Sequence, residues 1–181
     1  MPEYFDLFDS DNQPLFAAKE RSLVHQDGDW HRTSQIWIMN EKKEILCNLR
    51  SPLKDVFADF WDLSVGGHVS TGDDYDGTAL RELEEELGIS AKPEELIFLG
   101  YEKIDGGDVE KSLLDREHAK LFLYKTTRKV YEFKPQEEEI QKLSYFSIGH
   151  LKRVIETKDP SMKIIPVKSF YLKILKKLEE L

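Results

Sequence analysis

The chain has 181 residues, 40% of them hydrophobic and 11% aromatic, which suits one domain with a sizeable core and argues against disorder. A chain of this size buries about 70% of the surface it exposes when unfolded. Thirty-five Asp and Glu against 26 Lys and Arg leave a net charge of −9, which speaks against a nucleic-acid polymer as partner, because such binding needs a basic face to displace counterions.

Met1 to Asp11 carries Glu3, Asp6, Asp9 and Asp11 and no basic residue, the opposite of a secretory signal. Tyr4–Leu7 and Leu15–Glu20 flank the turn-rich Asp9–Pro14 and predict a hairpin. Gln35–Met39 and Ile45–Leu49 are two further strand-like runs around the charged turn Asn40–Glu44. The second holds Cys47, the single cysteine, so no internal disulfide is possible and a reducing compartment is the simpler reading. Trp61–Val65 reads as a strand ending in Gly66-Gly67. Asp76–Leu87 reads as a helix that starts in capping residues and stops at Gly88.

Leu96–Ile104 and Lys120–Tyr124 look like strands on either side of a charged loop, and Tyr145–Ser147 like a short one. Ser147–Thr157 and Val167–Leu181 are helices; the latter aligns Phe170, Ile174 and Leu178 in one stripe beside Tyr171 and Leu175, and is expected to cap the core. No apolar run approaches the roughly 18 residues of a membrane span. The expectation is a cytoplasmic α+β protein, one domain over 1–181, with a mixed sheet packed by helices.

The helix at 76–87 carries the chemistry. At about 100° per residue, Glu82, Glu85 and Glu86 share one arc of roughly 100°. Leu83, Leu87 and Leu80 form the adjoining arc that faces the core, so the acids cannot be fully solvated. Like charges at these spacings cost roughly 0.2–0.5 kcal/mol per exposed pair, and more where water is thinner. Arg81 reaches Glu85 and offsets one charge; no lysine within the helix offsets the others. Hard divalent cations such as Mg²⁺ or Mn²⁺ remove the repulsion, and Mg²⁺ commonly joins carboxylates to substrate phosphates.

The stretch from Gly67 to Ile89 resembles the signature of the Nudix superfamily: Gly67, five residues, Asp73, seven residues, then Arg81-Glu82-Leu83-Glu84-Glu85-Glu86-Leu87-Gly88-Ile89. Every fixed position matches except Asp73, which stands where the family has Glu. The resemblance implies an α/β/α sandwich with the mixed sheet between helices, an N-terminal β-hairpin and a C-terminal helix. It also implies divalent metal held by Glu82, Glu85 and Glu86 with help from the Gly67 carbonyl. Arg81 would orient Glu85 and Asp73. The implied reaction is attack of water on a phosphoanhydride.

A narrower resemblance covers Trp37 to Ile89 and points to the isopentenyl diphosphate isomerase branch of that superfamily. Its carriers are His25, His31, Trp37, Arg50, Lys54, Trp61, Ser64, Val65, Gly67 and His68, with Asp115 and Glu117 downstream. The His25–His31 spacing is one residue shorter than the branch pattern. This likeness implies a second site, of His25, His31, His68, Asp115 and Glu117, suited to a transition metal. Arg50 and Lys54 would bind diphosphate oxygens. The isomerase branch uses a Cys where this chain has Gly66, and a late Trp where this chain has none after Trp61.

Together these likenesses imply a metal-dependent hydrolase of a small organic or nucleoside diphosphate, with Glu82, Glu85, Glu86 and Glu117 as catalytic candidates. The competing readings are an isopentenyl diphosphate isomerase and a diphosphate-binding module without turnover. The partner is a small-molecule diphosphate; a homodimer is compatible with the sequence. Specificity is expected in Ile104–Arg116 and after Tyr145.

Overall fold

The computed structural model describes residues 2–54, 56–108 and 113–181. Among the described residues nine strands make one mixed sheet, with helices on both faces. The expected hairpin is present as β1 (Tyr4–Phe8) and β2 (Pro14–Glu20), paired antiparallel. A short helix that the sequence pattern does not announce, α1 (Arg21–Asp27), follows it. Two turns with one buried residue, Val24, leave no periodic stripe to read. Val24 packs with Phe5 and Leu7, a small core of its own, and Gly28 ends the helix at φ 69°.

The centre of the sheet is β3 (Trp30–Asn40). Next come β4 (Glu44–Arg50), β5 (Trp61–Asp62) and β6 (Val65–His68). The run predicted as one strand over Trp61–Val65 is therefore two, and pairing continues through Gly66-Gly67 instead of ending there. β6 lies antiparallel to β3, setting Thr33 opposite His68 and Gln35 opposite Gly66. β7 (Leu96–Asp108) and β8 (Leu113–Thr126) form a long antiparallel hairpin. Most of the segment expected to be a charged loop, Ile104–Arg116, is thus strand; residues 109–112 lie outside the described residues. β8 runs parallel to β3 and sets Glu117 opposite His31. β9 (Ile140–Ser147), longer than the predicted Tyr145–Ser147, pairs with β4.

Alternation along β3 sorts the core onto two faces. Trp37 and Met39 meet α3 (Ile148–Thr157) and α4 (Lys168–Glu179), including Leu151, Tyr171, Ile174 and Leu178. The C-terminal helix caps this core, as its stripe predicted. Ile36 and Ile38 face α2 (Tyr75–Leu87) on the other side. Asp74 caps α2 by accepting from the Gly77 N–H at 2.7 Å, and Gly88 closes it at φ 65°. Within α2 the buried residues are Tyr75, Thr78, Ala79, Glu82, Leu83 and Leu87. Leu80 is only half-buried. Leu83 and Leu87 thus face the core as expected, but the buried arc is displaced from Leu80 toward Ala79 and takes in Glu82. The small side chain of Ala79 permits this: it lets α2 approach the sheet on its acidic side. Two carboxylates are thereby driven against the protein, where desolvation opposes their charge.

Candidate functional site

Two groups of ligand-type side chains lie on opposite faces of β6, with Gly66 and Gly67 between them. On the α2 face, Glu82 is 9% exposed and its carboxylate presses on Gly67; a Cβ there would overlap it. Arg81 Nη1 contacts Glu82 Oε1 and Glu85 Oε2, both at 2.8 Å. Arg81 thus orients Glu85 as expected, but its second partner is Glu82. Among the described residues it forms no ion pair with Asp73, which is exposed. The shorter acid at 73 belongs to a loop whose backbone turns back onto Ser70.

Glu86 lines a small polar cleft together with Asn48, Arg50, Asp62, Ser64, Val65, Gly66, Glu139 and Ile140. Burial pushes the Glu86 carboxyl well above its usual range, and Glu82 and Glu139 push it further. Glu82 is raised by burial as well, against the pull of Arg81. Among the described residues no Lys or Arg forms an ion pair with Glu86. Arg50 lines the cleft and donates from Nε and Nη2 to the Val56 carbonyl, at 3.2 and 2.9 Å. Lys54 is ion-paired with Glu139. Glu139 and Asp62 were missed by sequence reasoning. Glu139 sits in a run of three glutamates that looks like any solvated stretch, and only the pairing of β9 with β4 brings it to the cleft.

On the other face, His25 from α1, His31 from β3, His68 from β6 and Asp115 from β8 converge, with one ligand atom of each within 4.8 Å of all the others. His31 Nε2 lies 3.6 Å and His25 Nε2 3.9 Å from Asp115 Oδ1. Glu117 stands beside them, its Oε1 4.0 Å from His68 Nε2. Its Oε2 accepts from Thr33 Oγ1 at 3.2 Å and Gln35 Nε2 at 3.4 Å. The Nδ1 of His31 lies 3.0 Å from the Asp29 carbonyl, which can only accept, so Nδ1 carries the proton and Nε2 presents its lone pair to the cluster.

Among the described residues, Nε2 of all three histidines and Oδ1 of Asp115 are buried without a hydrogen-bond partner. Four orphaned ligand atoms aimed at one point are costly unless something binds there. An imidazole-rich set with a carboxylate fits a divalent transition metal. Burial pushes His31 down to about 4 and holds His68 well below its ordinary value, so both are neutral and able to ligate. His25 is lowered by burial against the pull of Asp115. Asp115 and Glu117 are raised, again chiefly by burial. The lid of this cluster is Phe5, fully buried, whose ring stacks on His68 at 4.6 Å and on His31 at 5.3 Å. No sequence signal tied a Phe in the N-terminal hairpin to histidines so far along the chain.

The mixed sheet and the capped acidic helix behind a glycine pair define a class of fold. Residues 29–165 match the NUDIX domain, so the chain belongs to the Nudix family, hydrolases that act on pyrophosphate bonds. It is 33% identical over 159 residues to an uncharacterised Nudix hydrolase of Clostridium acetobutylicum, a match covering 86% of this chain and 75% of that one. It is 30% identical over 122 residues to an isopentenyl-diphosphate Delta-isomerase of Serratia proteamaculans, covering 67% and 68%. A crystal structure of the Deinococcus radiodurans protein DR0079 shares the fold, with TM-score 0.70 and 16% identity over 97% of this chain and 99% of that one. Among the described residues no helix is long and apolar enough to cross a membrane.

Proposed function

We propose that this chain hydrolyses the phosphoanhydride of a small organic or nucleoside diphosphate with divalent metal bound at two places. Glu82, Glu85 and Glu86 hold the catalytic ion, Mg²⁺ or Mn²⁺. His25, His31, His68 and Asp115, with Glu117 alongside, hold a second, transition-metal ion. The observation that carries the reading is the cleft beside α2: Glu86 lines it with Asp62 and Glu139, Glu82 acts on Glu86 from close by, and Arg50 stands in the same lining. Carboxylates in such surroundings call for a multivalent cation, and a diphosphate brings the negative oxygens that complete its coordination.

When bound, the ion supplies a Lewis acid that lowers the pKa of water and neutralises charge on phosphoryl oxygens. The chain's own groups do the rest. Arg81 holds Glu82 and Glu85 in place. Arg50 and Lys54 bind diphosphate oxygens and orient the anhydride. Water oxygen attacks phosphorus, the bridging P–O bond breaks, and the proton released passes to a carboxylate oxygen of the acidic group. Two phosphate-bearing products leave.

The isomerase reading asks for a thiol at position 66. A Cβ on Gly66 would overlap the Ser34 carbonyl oxygen of the neighbouring strand. The backbone therefore has no room for any side chain here, a stronger objection than the missing sulfur alone. The test is phosphate release over a panel of nucleoside diphosphate sugars, dinucleotides and isoprenoid diphosphates with Mg²⁺ or Mn²⁺. Turnover that Glu86→Gln abolishes supports the reading. Turnover unchanged by Glu86→Gln overturns the assignment of α2. Deuterium exchange into isopentenyl diphosphate would favour the isomerase, and tight binding without product a module without turnover.

A further inference from the structure

Asp62 is an acid that neither metal group uses, yet it lines the same cleft as Arg50 and Glu86. Its Oδ1 accepts three hydrogen bonds: from Tyr171 Oη at 2.9 Å, from the Ser64 N–H at 3.1 Å and from Ser64 Oγ at 3.3 Å. Three donors on one oxygen fix the carboxylate plane. Among the described residues no donor reaches Oδ2, and no Lys or Arg pairs with the group. Tyr171 is on α4, 2% exposed, and held by an edge-to-face contact with the fully buried Trp37 at 5.9 Å. Its ring cannot wander, so the hydroxyl is a fixed anchor. The backbone on either side is pinned as well: Asn48 Nδ2 donates to the Ser64 carbonyl at 2.8 Å, and Trp61 bonds to Lys163 and Ile165 of the segment before α4.

A rigid carboxylate with one oxygen committed and one spare is an acceptor awaiting a donor. Phosphate oxygens are acceptors only, so the donor must come from the organic part of the ligand. The cleft walls are Asn48, Arg50, Asp62, Ser64, Glu86 and Glu139 against Val65 and Ile140, a lining that solvates hydroxyls and offers a hydrocarbon chain little. Vicinal hydroxyls of a sugar suit a carboxylate acceptor.

We propose that Asp62 determines substrate specificity by accepting hydrogen bonds from a hydroxyl-bearing, sugar-like organic half of the diphosphate, and that Tyr171 is its positioning residue. This rests on the diphosphate reading, but its test reads binding and not turnover. The full chain is titrated calorimetrically, with Ca²⁺ in place of Mg²⁺, against ADP-ribose and against dimethylallyl diphosphate, which has no hydroxyl. Wild type is expected to bind ADP-ribose more tightly. Asp62→Asn keeps an oxygen for Tyr171 and Ser64 but can place a donor where the free acceptor was. It should weaken ADP-ribose about tenfold and leave dimethylallyl diphosphate within about twofold. Tyr171→Phe, which keeps the ring and its packing, should shift ADP-ribose in the same direction by less.

The proposal is overturned if wild type shows no preference for ADP-ribose. It is overturned if Asp62→Asn weakens both ligands equally, or if the variant shifts the Ca²⁺ concentration needed for binding with ligand preference intact, which would make Asp62 a metal ligand. Failure of hydrolysis with the binding preference preserved would sink the hydrolase reading alone.

Discussion

The α2 acids and the histidine cluster are built from similar materials to opposite ends. Glu85 is exposed, Glu86 lines an open cleft, and Arg81 ties two of the three acids to one another. The cluster of His25, His31, His68 and Asp115 draws on four separate elements and is roofed by Phe5. An open group on a single helix can exchange ions and ligands with solvent at little cost to the fold. A roofed group drawn from four elements binds only when all four are in place, so its ion acts on stability first. On the proposed function, the contrast favours chemistry at the acids and a mainly structural duty for the histidines, a division that mutation, pH and chelation can each overturn.

The largest effect is expected on the open side. Glu86→Gln should lower kcat by about 10³-fold in a steady-state assay, with a melting temperature at or slightly above that of wild type, since an unfavourably buried charge is removed. A drop in melting temperature with activity retained would reverse the division. On the roofed side, His31 carries a pH signature in chelator-treated protein. Its folded value, about 4, lies below the ordinary 6.5, so the unfolded chain binds the proton first. Stability is full above about 6.5 and is lost as pH falls from there to about 4, by about 3 kcal/mol in total. Urea unfolding from pH 7.5 to 4 measures it, and the loss should be smaller by about that amount in His31→Phe, leaving the share of the other buried histidines.

Chelation separates the two groups further. An ion present at a hundred times its dissociation constant stabilises by about 2.7 kcal/mol, or very roughly 5–10 °C for a chain of this size. A strong chelator should remove that increment from wild type and from Glu86→Gln, but not from His68→Ala. Arg81→Ala should show the smallest change in stability, because its pair with Glu85 lies at the surface and the buried Glu82, on losing its partner, can take up a proton. Its activity should nevertheless fall, since Glu82 and Glu85 lose their common anchor.

Much of the molecule is legible in its sequence. The 67–89 pattern locates the acids, and the hairpin, the capped helix and the C-terminal stripe appear where expected. Leu80 shows where periodicity fails. A helical wheel assumes that leucines choose the buried face, but Ala79 and Gly67 let the acidic side come closer to the sheet. The strands at Leu96–Ile104 and Lys120–Tyr124 are found as predicted, but helix α1 and the outer ends of the β7–β8 hairpin escape sequence reasoning for different reasons. The first is too short to have a period, and the second carries charges that read as loop. Asp62 and Glu139 need the pairing of β4 with β5 and β9 to be known at all. Local sequence says what a residue can do; long-range register decides what it meets.

The parallel alignment of β3 with β8 has a kinetic corollary. Thr33 and Glu117 touch although they are 84 residues apart in the chain, so their encounter waits on closure of most of the intervening polypeptide. The histidine ensemble is thus expected to assemble late in folding, and capture of a spectroscopically visible ion such as Co²⁺ during refolding would time the moment at which the topology completes.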